Sequence, residues 1–262
     1  MYVKICGLTQ LEQAAPLVRA GVDAIGINLH PSSPRRVSFE QADELLRAVG
    51  HAAGIEGRPV ELVALLAASQ GEQAIARCRE LGFDWVQLHG VETSGPMGSV
   101  VDGAVTGEAV RTEAVSDSER AVGCDSARGE GVGGWSQRTT PAHAAGTGDR
   151  FRGVFLAVGV GSVADVDLAQ RAPGERVLLD AKVPGMAGGT GQRFDWRLAR
   201  ELGVQRRVIL AGGLTPENVA EAIRIAEPWG VDAASSLESS PGVKDIERCR
   251  AFVAAAKGAH RG

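Results

Sequence analysis

Short apolar runs alternate along this chain with segments whose apolar positions recur every three to four residues, the spacing of one helical face. Tyr2–Cys6 reads as a strand, and Leu11–Ala20 as a helix. Asp23–Leu29 is a second strand. Ser38-Phe-Glu-Gln41 then forms a capping box that opens a helix to about Val49. Val60–Leu66 is predicted as a strand, Gln70–Leu81 as a helix and Asp84–His89 as a fourth strand. After a gap come strand Gly153–Val158, helix Val163–Ala172, strand Arg176–Ala181 and helix Phe194–Leu202. Arg207–Ala211 is the next strand. Thr215-Pro216 supplies an N-cap with proline at the first helical position, for a helix to about Ala226. Val231–Ser235 and the helix Asp245–Lys257 close the series.

Eight strands and seven helices in alternation favour parallel βαβ units. Eight units favour a closed (βα)8 barrel, an α/β fold that takes roughly 250 residues as one domain. Residues 1–262 are accordingly read as a single domain. The eighth helix should follow the fourth strand, but residues 91–150 break the pattern. They hold no Leu, Ile or Phe, and 11 Gly with 12 Ser plus Thr. Such a segment buries too little surface to offset its ordering entropy, so it is expected to be a flexible Gly/Ser/Thr-rich insertion.

The composition is that of a globular protein: 44% hydrophobic, 23% charged, net charge −4. The slight acidity and the absence of a basic patch with interleaved aromatics argue against nucleic acid as a partner. The longest uncharged run, Gly153 to Ala164, is about a dozen residues, too short to span a bilayer. Residues 1–10 show no signal region, so a cytoplasmic protein is expected. Cys6, Cys78, Cys124 and Cys249 show neither C-x-x-C pairing nor zinc spacing.

In a parallel barrel, chemistry gathers at the C-terminal ends of the strands. Several unusual clusters fall there: Cys6-Gly7, Ser32-Ser-Pro-Arg-Arg36, Gln87-Leu-His-Gly90, Asp180, Gly188-Gly-Thr-Gly191, Gly212-Gly213 and Ser235-Ser236. The last three suit a phosphate, because glycine lets backbone N–H groups approach an anion. No Walker or dinucleotide glycine motif accompanies them, so no nucleotide cofactor is expected. Cys6 and Asp180 are an acid–base candidate across one mouth. The bland alternatives are a small buried thiol, and a structural carboxylate paired with Lys182 or Lys4. Strand alternation turns Lys4 and Cys6 to the same side, where an ammonium would favour thiolate.

Read together, Lys4-Ile-Cys-Gly-Leu-Thr9, Ser33-Pro-Arg35, Val86-Gln-Leu-His-Gly90 and Leu179-Asp-Ala181 resemble phosphoribosylanthranilate isomerase, a TIM-barrel family of tryptophan biosynthesis. Gly188–Gly191 with Phe194-Asp-Trp196, Ala211–Asn218, Glu238 and Pro241–Asp245 continue the resemblance in the family's order, over residues 1–90 and 151–257. The resemblance implies an Amadori rearrangement of N-(5-phosphoribosyl)anthranilate without cofactor or metal. It makes Asp180 the general acid, Cys6 the general base and Arg35 the holder of the anthranilate carboxylate. Gln87, His89, Gly189, Gly191, Gly212, Gly213, Ser235 and Ser236 would complete the substrate site. The partner implied is a small phosphorylated substrate, for a monomer or a homodimer.

The chain departs from the family's pattern at the last strand. Ala234-Ser235-Ser236 stands where Ser-Ser-Gly is usual, and Leu156-Ala157 stands where a basic residue is common. If that glycine needs a positive φ, Ser236 should strain the loop. Rival readings are a degenerate barrel that binds a phosphorylated ligand without turnover, and the histidine-pathway sugar isomerase, which uses a carboxylate where this chain has Cys6.

Overall fold

A computed structural model of the protein describes residues 1–90, 150–161, 163–181, 196–203 and 206–259. Eight parallel strands close into a barrel in sequence order. They are β1 (Tyr2–Cys6), β2 (Ala24–Asn28), β3 (Glu61–Ala67), β4 (Trp85–His89), β5 (Gly153–Val160), β6 (Arg176–Ala181), β7 (Arg207–Leu210) and β8 (Gly230–Ala233). The helices are α1 (Ala14–Ala20), α2 (Phe39–Ile55), α3 (Gly71–Leu81), α4 (Val163–Arg171), α5 (Arg197–Gly203), α6 (Val219–Ala226) and α7 (Ile246–Ala259). The expected α/β architecture is therefore present. The stretch 91–149 that interrupts it, with its expected insertion, lies outside the described residues.

Period-two alternation sorts each strand into two cores. On β1, Val3 and Ile5 face the helix layer, with Ile25, Ile27, Leu62 and Phe252. Cys6 faces the barrel interior, among Ala24, Val63, Leu65, Trp85, Phe155, Leu178 and Ile209. Two aspartates brace the strand entries. Asp23 accepts from Val3 N at 2.9 Å, and the buried Asp84 accepts from Leu62 N at 2.8 Å. Each carboxylate thus satisfies a neighbouring strand's first donors, which helps set the register.

At the N-terminal end, Arg176 plugs the barrel. Its guanidinium lies 3.7 Å over the Trp85 ring and donates to Glu61 at 3.0 Å, with Tyr2 and Trp229 stacked nearby. The plug separates this end from the chemistry expected at the other.

The Ser38–Gln41 capping box forms as expected: Gln41 N donates to Ser38 Oγ and Ser38 N to Gln41 Oε1. The helix it opens continues past Val49 to Ile55, because its buried face extends through Ala52. The proline-led start of α6 is corrected: the helix begins at Val219. Asn218 accepts from Thr215 N and donates to Gly213 O, which holds 215–218 as a turn. A small antiparallel pair also escaped the pattern reading, β9 (Glu238–Ser240) with β10 (Val243–Lys244).

Candidate active site

The register of the first and last strands sets the site. Lys4 pairs with Asp232 across β1 and β8, and Cys6 pairs with Gly26 on β2. Lys4 is wholly buried, and its Nζ donates to Asp232 Oδ1 at 3.1 Å. The ammonium therefore pairs with Asp232, not with Asp180. Burial works against the charge on Lys4, but Asp232 and the neighbouring Cys6 outweigh it and hold its pKa above the ordinary value. Burial pushes the Cys6 thiol up; Lys4 and Lys244 oppose this, while Asp232 reinforces it.

Space around the thiol is tight. A Cβ on Gly26 would lie 2.8 Å from Cys6 Sγ. Gly7, with φ +86°, has a different neighbour: a Cβ there would sit 2.6 Å from Arg35 Cδ. The Arg35 stem thus crosses the backbone beside Cys6, and only glycine fits both the left-handed turn and the close approach.

Arg35 is held from the far side of the chain. Its Nε and Nη2 donate to the two oxygens of Glu238, both at 2.7 Å, a bidentate fork. Lys244 Nζ donates to the same carboxylate at 2.7 Å and to Ala234 O at 3.2 Å. Burial alone would raise the Glu238 carboxyl, but these two cations hold it below its ordinary range. The β9–β10 pair is pinned to the loop after β1 by Thr9 Oγ1 donating to Gly242 O and by Gln13 bonding the Lys244 backbone.

Asp180, Asp232, Gly212, Gly213, Ser235 and Ser236 line one pocket of about 300 Å³ at the ends of β6, β7 and β8. Gly212 and Gly213 both adopt positive φ. Ser236 does not: the only non-glycine residue at positive φ among the described residues is Glu227. Ser236 sits in a 3-10 turn, and its hydroxyl donates to Leu214 O, tying the two loops together. The expected strain is absent, so backbone strain gives no support to a degenerate barrel. Gly189 and Gly191 lie outside the described residues, as does Lys182.

On the opposite wall, Gln87 is buried on β4 and His89 ends it. Gln87 Nε2 lies 2.7 Å from His89 Nε2, and the His30 ring packs edge-on to His89 with centroids 6.3 Å apart. Burial, with Lys4 and His30 adding to it, pushes the His89 pKa down to about 4, so its imidazole is neutral. Arg36 is exposed and joins Asn28 in a β-bridge.

Sequence reasoning missed Asp232, Gly26 and Lys244, and assigned no contact to Glu238. The available signal was an ionisable residue, Asp232, on the inward parity of an apolar strand. Among the described residues no cluster suited to a metal is found, and no helix is long and apolar enough to cross a membrane.

The chain is similar to a specific group of known proteins. The family model described as N-(5'-phosphoribosyl)anthranilate (PRA) isomerase matches residues 3–115 and 152–255. The isomerase of that name from Myxococcus xanthus is 36% identical over 256 residues, covering 97% of this chain and 95% of its own. The solved phosphoribosyl anthranilate isomerase from Thermus thermophilus is 28% identical with a TM-score of 0.67, covering 98% of this chain and 99% of its own. Another solved isomerase, in complex with reduced 1-(o-carboxyphenylamino)-1-deoxyribulose 5-phosphate, is 28% identical with a TM-score of 0.64 over the same shares. With the closed barrel and the site at its C-terminal mouth, a match over both halves of the chain leaves one conclusion: the chain belongs to the N-(5'-phosphoribosyl)anthranilate isomerase family.

Proposed function

We propose that this chain isomerises N-(5-phosphoribosyl)anthranilate to 1-(2-carboxyphenylamino)-1-deoxyribulose 5-phosphate, with Asp180 as general acid and Cys6 as general base. Asp180 gives its proton to the ribose ring oxygen as the C1–O bond breaks, and the anilino nitrogen lone pair forms the iminium. That cation acidifies the C2 proton, which Cys6 removes in its thiolate form, the minor form because burial raises the thiol against the pull of Lys4 and Lys244; the resulting enolamine tautomerises to the ketone. Each transfer of this kind is worth about 10²–10⁴-fold.

The reading rests on one observation above all. Asp180 shares its pocket with the Gly212-Gly213 and Ser235-Ser236 loops and with Asp232, whose partner Lys4 lies beside Cys6. A phosphate in that pocket sets the ribose between acid and base. The carboxylate end then extends toward Arg35, whose Nη1 edge remains for it because Glu238 occupies Nε and Nη2. Gln87 and neutral His89 form the wall for the rest of the substrate, and Gly189 and Gly191 are assigned to the phosphate on the resemblance alone. The reduced compound held by the solved relative carries this same set of carboxylate, amine and phosphate.

The test is loss of phosphoribosylanthranilate fluorescence on adding purified protein, with turnover expected. A folded protein that binds the reduced product but consumes no substrate would contradict the reading.

A further inference from the structure

The fork that fixes Arg35 raises an electrostatic difficulty. A guanidinium locked onto Glu238 is one half of a neutral pair, and a neutral pair attracts a substrate carboxylate poorly. The structure supplies a third charge. Lys244, its side chain fully buried, donates to the same Glu238 carboxylate, so Arg35, Glu238 and Lys244 together carry +1. Lys244 does not reach the mouth: its Nζ is spent on Glu238 and on Ala234 O. Its backbone is gripped on both sides by Gln13. A buried ammonium held this firmly, behind an anion that already has an arginine, leaves the trio one positive charge in excess at Arg35's open edge.

We propose that Lys244 is a positioning and specificity-determining residue, which offsets Glu238 so that Arg35 keeps a full charge for the substrate's aromatic carboxylate. Glu238 supplies direction and Lys244 restores sign. The inference rests on the reading that Arg35 meets this carboxylate. The same charge also reaches Cys6, where Lys244 works against the burial that raises the thiol.

Net charge and geometry are separable by substitution. The probes are reduced 1-(o-carboxyphenylamino)-1-deoxyribulose 5-phosphate and its anilino counterpart without the carboxylate, with Kd for each measured by calorimetry. The readout is the ratio of the two affinities, which cancels the shared phosphate and sugar. A lost placement of Arg35 would lower it too, but would not be regained on also changing Glu238, so the double variant separates charge from geometry. Wild type, with +1, favours the carboxylate form. Lys244→Met brings the trio to zero and lowers the ratio on the order of tenfold. Lys244→Met with Glu238→Gln returns it to +1 and recovers the ratio. Glu238→Gln alone gives +2, keeps an amide oxygen to accept from Arg35 and so retains its direction, and raises the ratio above wild type. This variant serves if Lys244→Met does not fold. A ratio that ignores Lys244→Met, fails to recover in the folded double variant, or falls in Glu238→Gln overturns the proposal. Equal binding of both probes by wild type would instead refute the role given to Arg35.

Discussion

Lys4 Nζ and Asp232 Oδ1 lie 3.1 Å apart inside the barrel, joining the first strand to the last just below the Cys6 thiol. Removing one member leaves the other charge buried without its partner, a loss of about 3–5 kcal/mol. Lys4→Met is therefore expected to lower the melting temperature sharply, and Lys4→Met with Asp232→Leu to regain most of it. In Lys4→Met the thiol rises further, so iodoacetamide labels Cys6 more slowly at a given pH. Labelling at the wild-type rate would show that Lys4 does not act on the thiol.

His89 predicts an acid limb in stability. Its folded pKa, about 4, lies below the ordinary 6.5, so its contribution is complete above pH 6.5 and is lost as pH falls toward 4. The loss is about 2 kcal/mol, less than the full shift because the residue is partly exposed at the mouth. Thermal melts from pH 7 to pH 4 should fall less steeply for His89→Asn than for wild type. Parallel curves would contradict the assignment.

Gly7→Ala should damage substrate binding through Arg35. The left-handed turn costs a side chain about 1–3 kcal/mol, and the new Cβ meets Arg35 Cδ. KM is expected to rise more than kcat falls, read from steady-state kinetics. An unchanged KM would mean that Arg35 does not depend on this contact.

The opposite end of the barrel should behave in the opposite way. Arg176→Met removes the cation stacked on Trp85 and leaves Glu61 with one fewer partner. Stability should drop by about 3 kcal/mol, while kcat and KM at 25 °C stay within about twofold of wild type. A large change in KM alone would show that the plug communicates with the mouth.

What the sequence made legible was mostly local. The Ser38–Gln41 box needs only residues three apart, and the alternation on β1 places Lys4 and Cys6 on one face without any tertiary information. The pairing of Lys4 with Asp232 depends on the register of strands 228 residues apart, which no local pattern carries. The β9–β10 pair was hidden for the same reason: Thr9 and Gln13 hold it from more than 230 positions away. Arg35 could be singled out by its motif, but that Glu238 occupies its Nε and Nη2 donors emerged only from the fold. Ser236 misled in the other direction, because a departure from glycine signals strain only where φ is positive.

The proposed roles of Cys6 and Asp180 in moving the protons are open to a direct test. That test follows phosphoribosylanthranilate consumption by Cys6→Ala and Asp180→Asn, with Kd for the reduced product measured in parallel. Turnover should fall by about 10²–10⁴-fold in each variant while the product analogue binds nearly as in wild type. Wild-type turnover in either variant would contradict the role given to that residue.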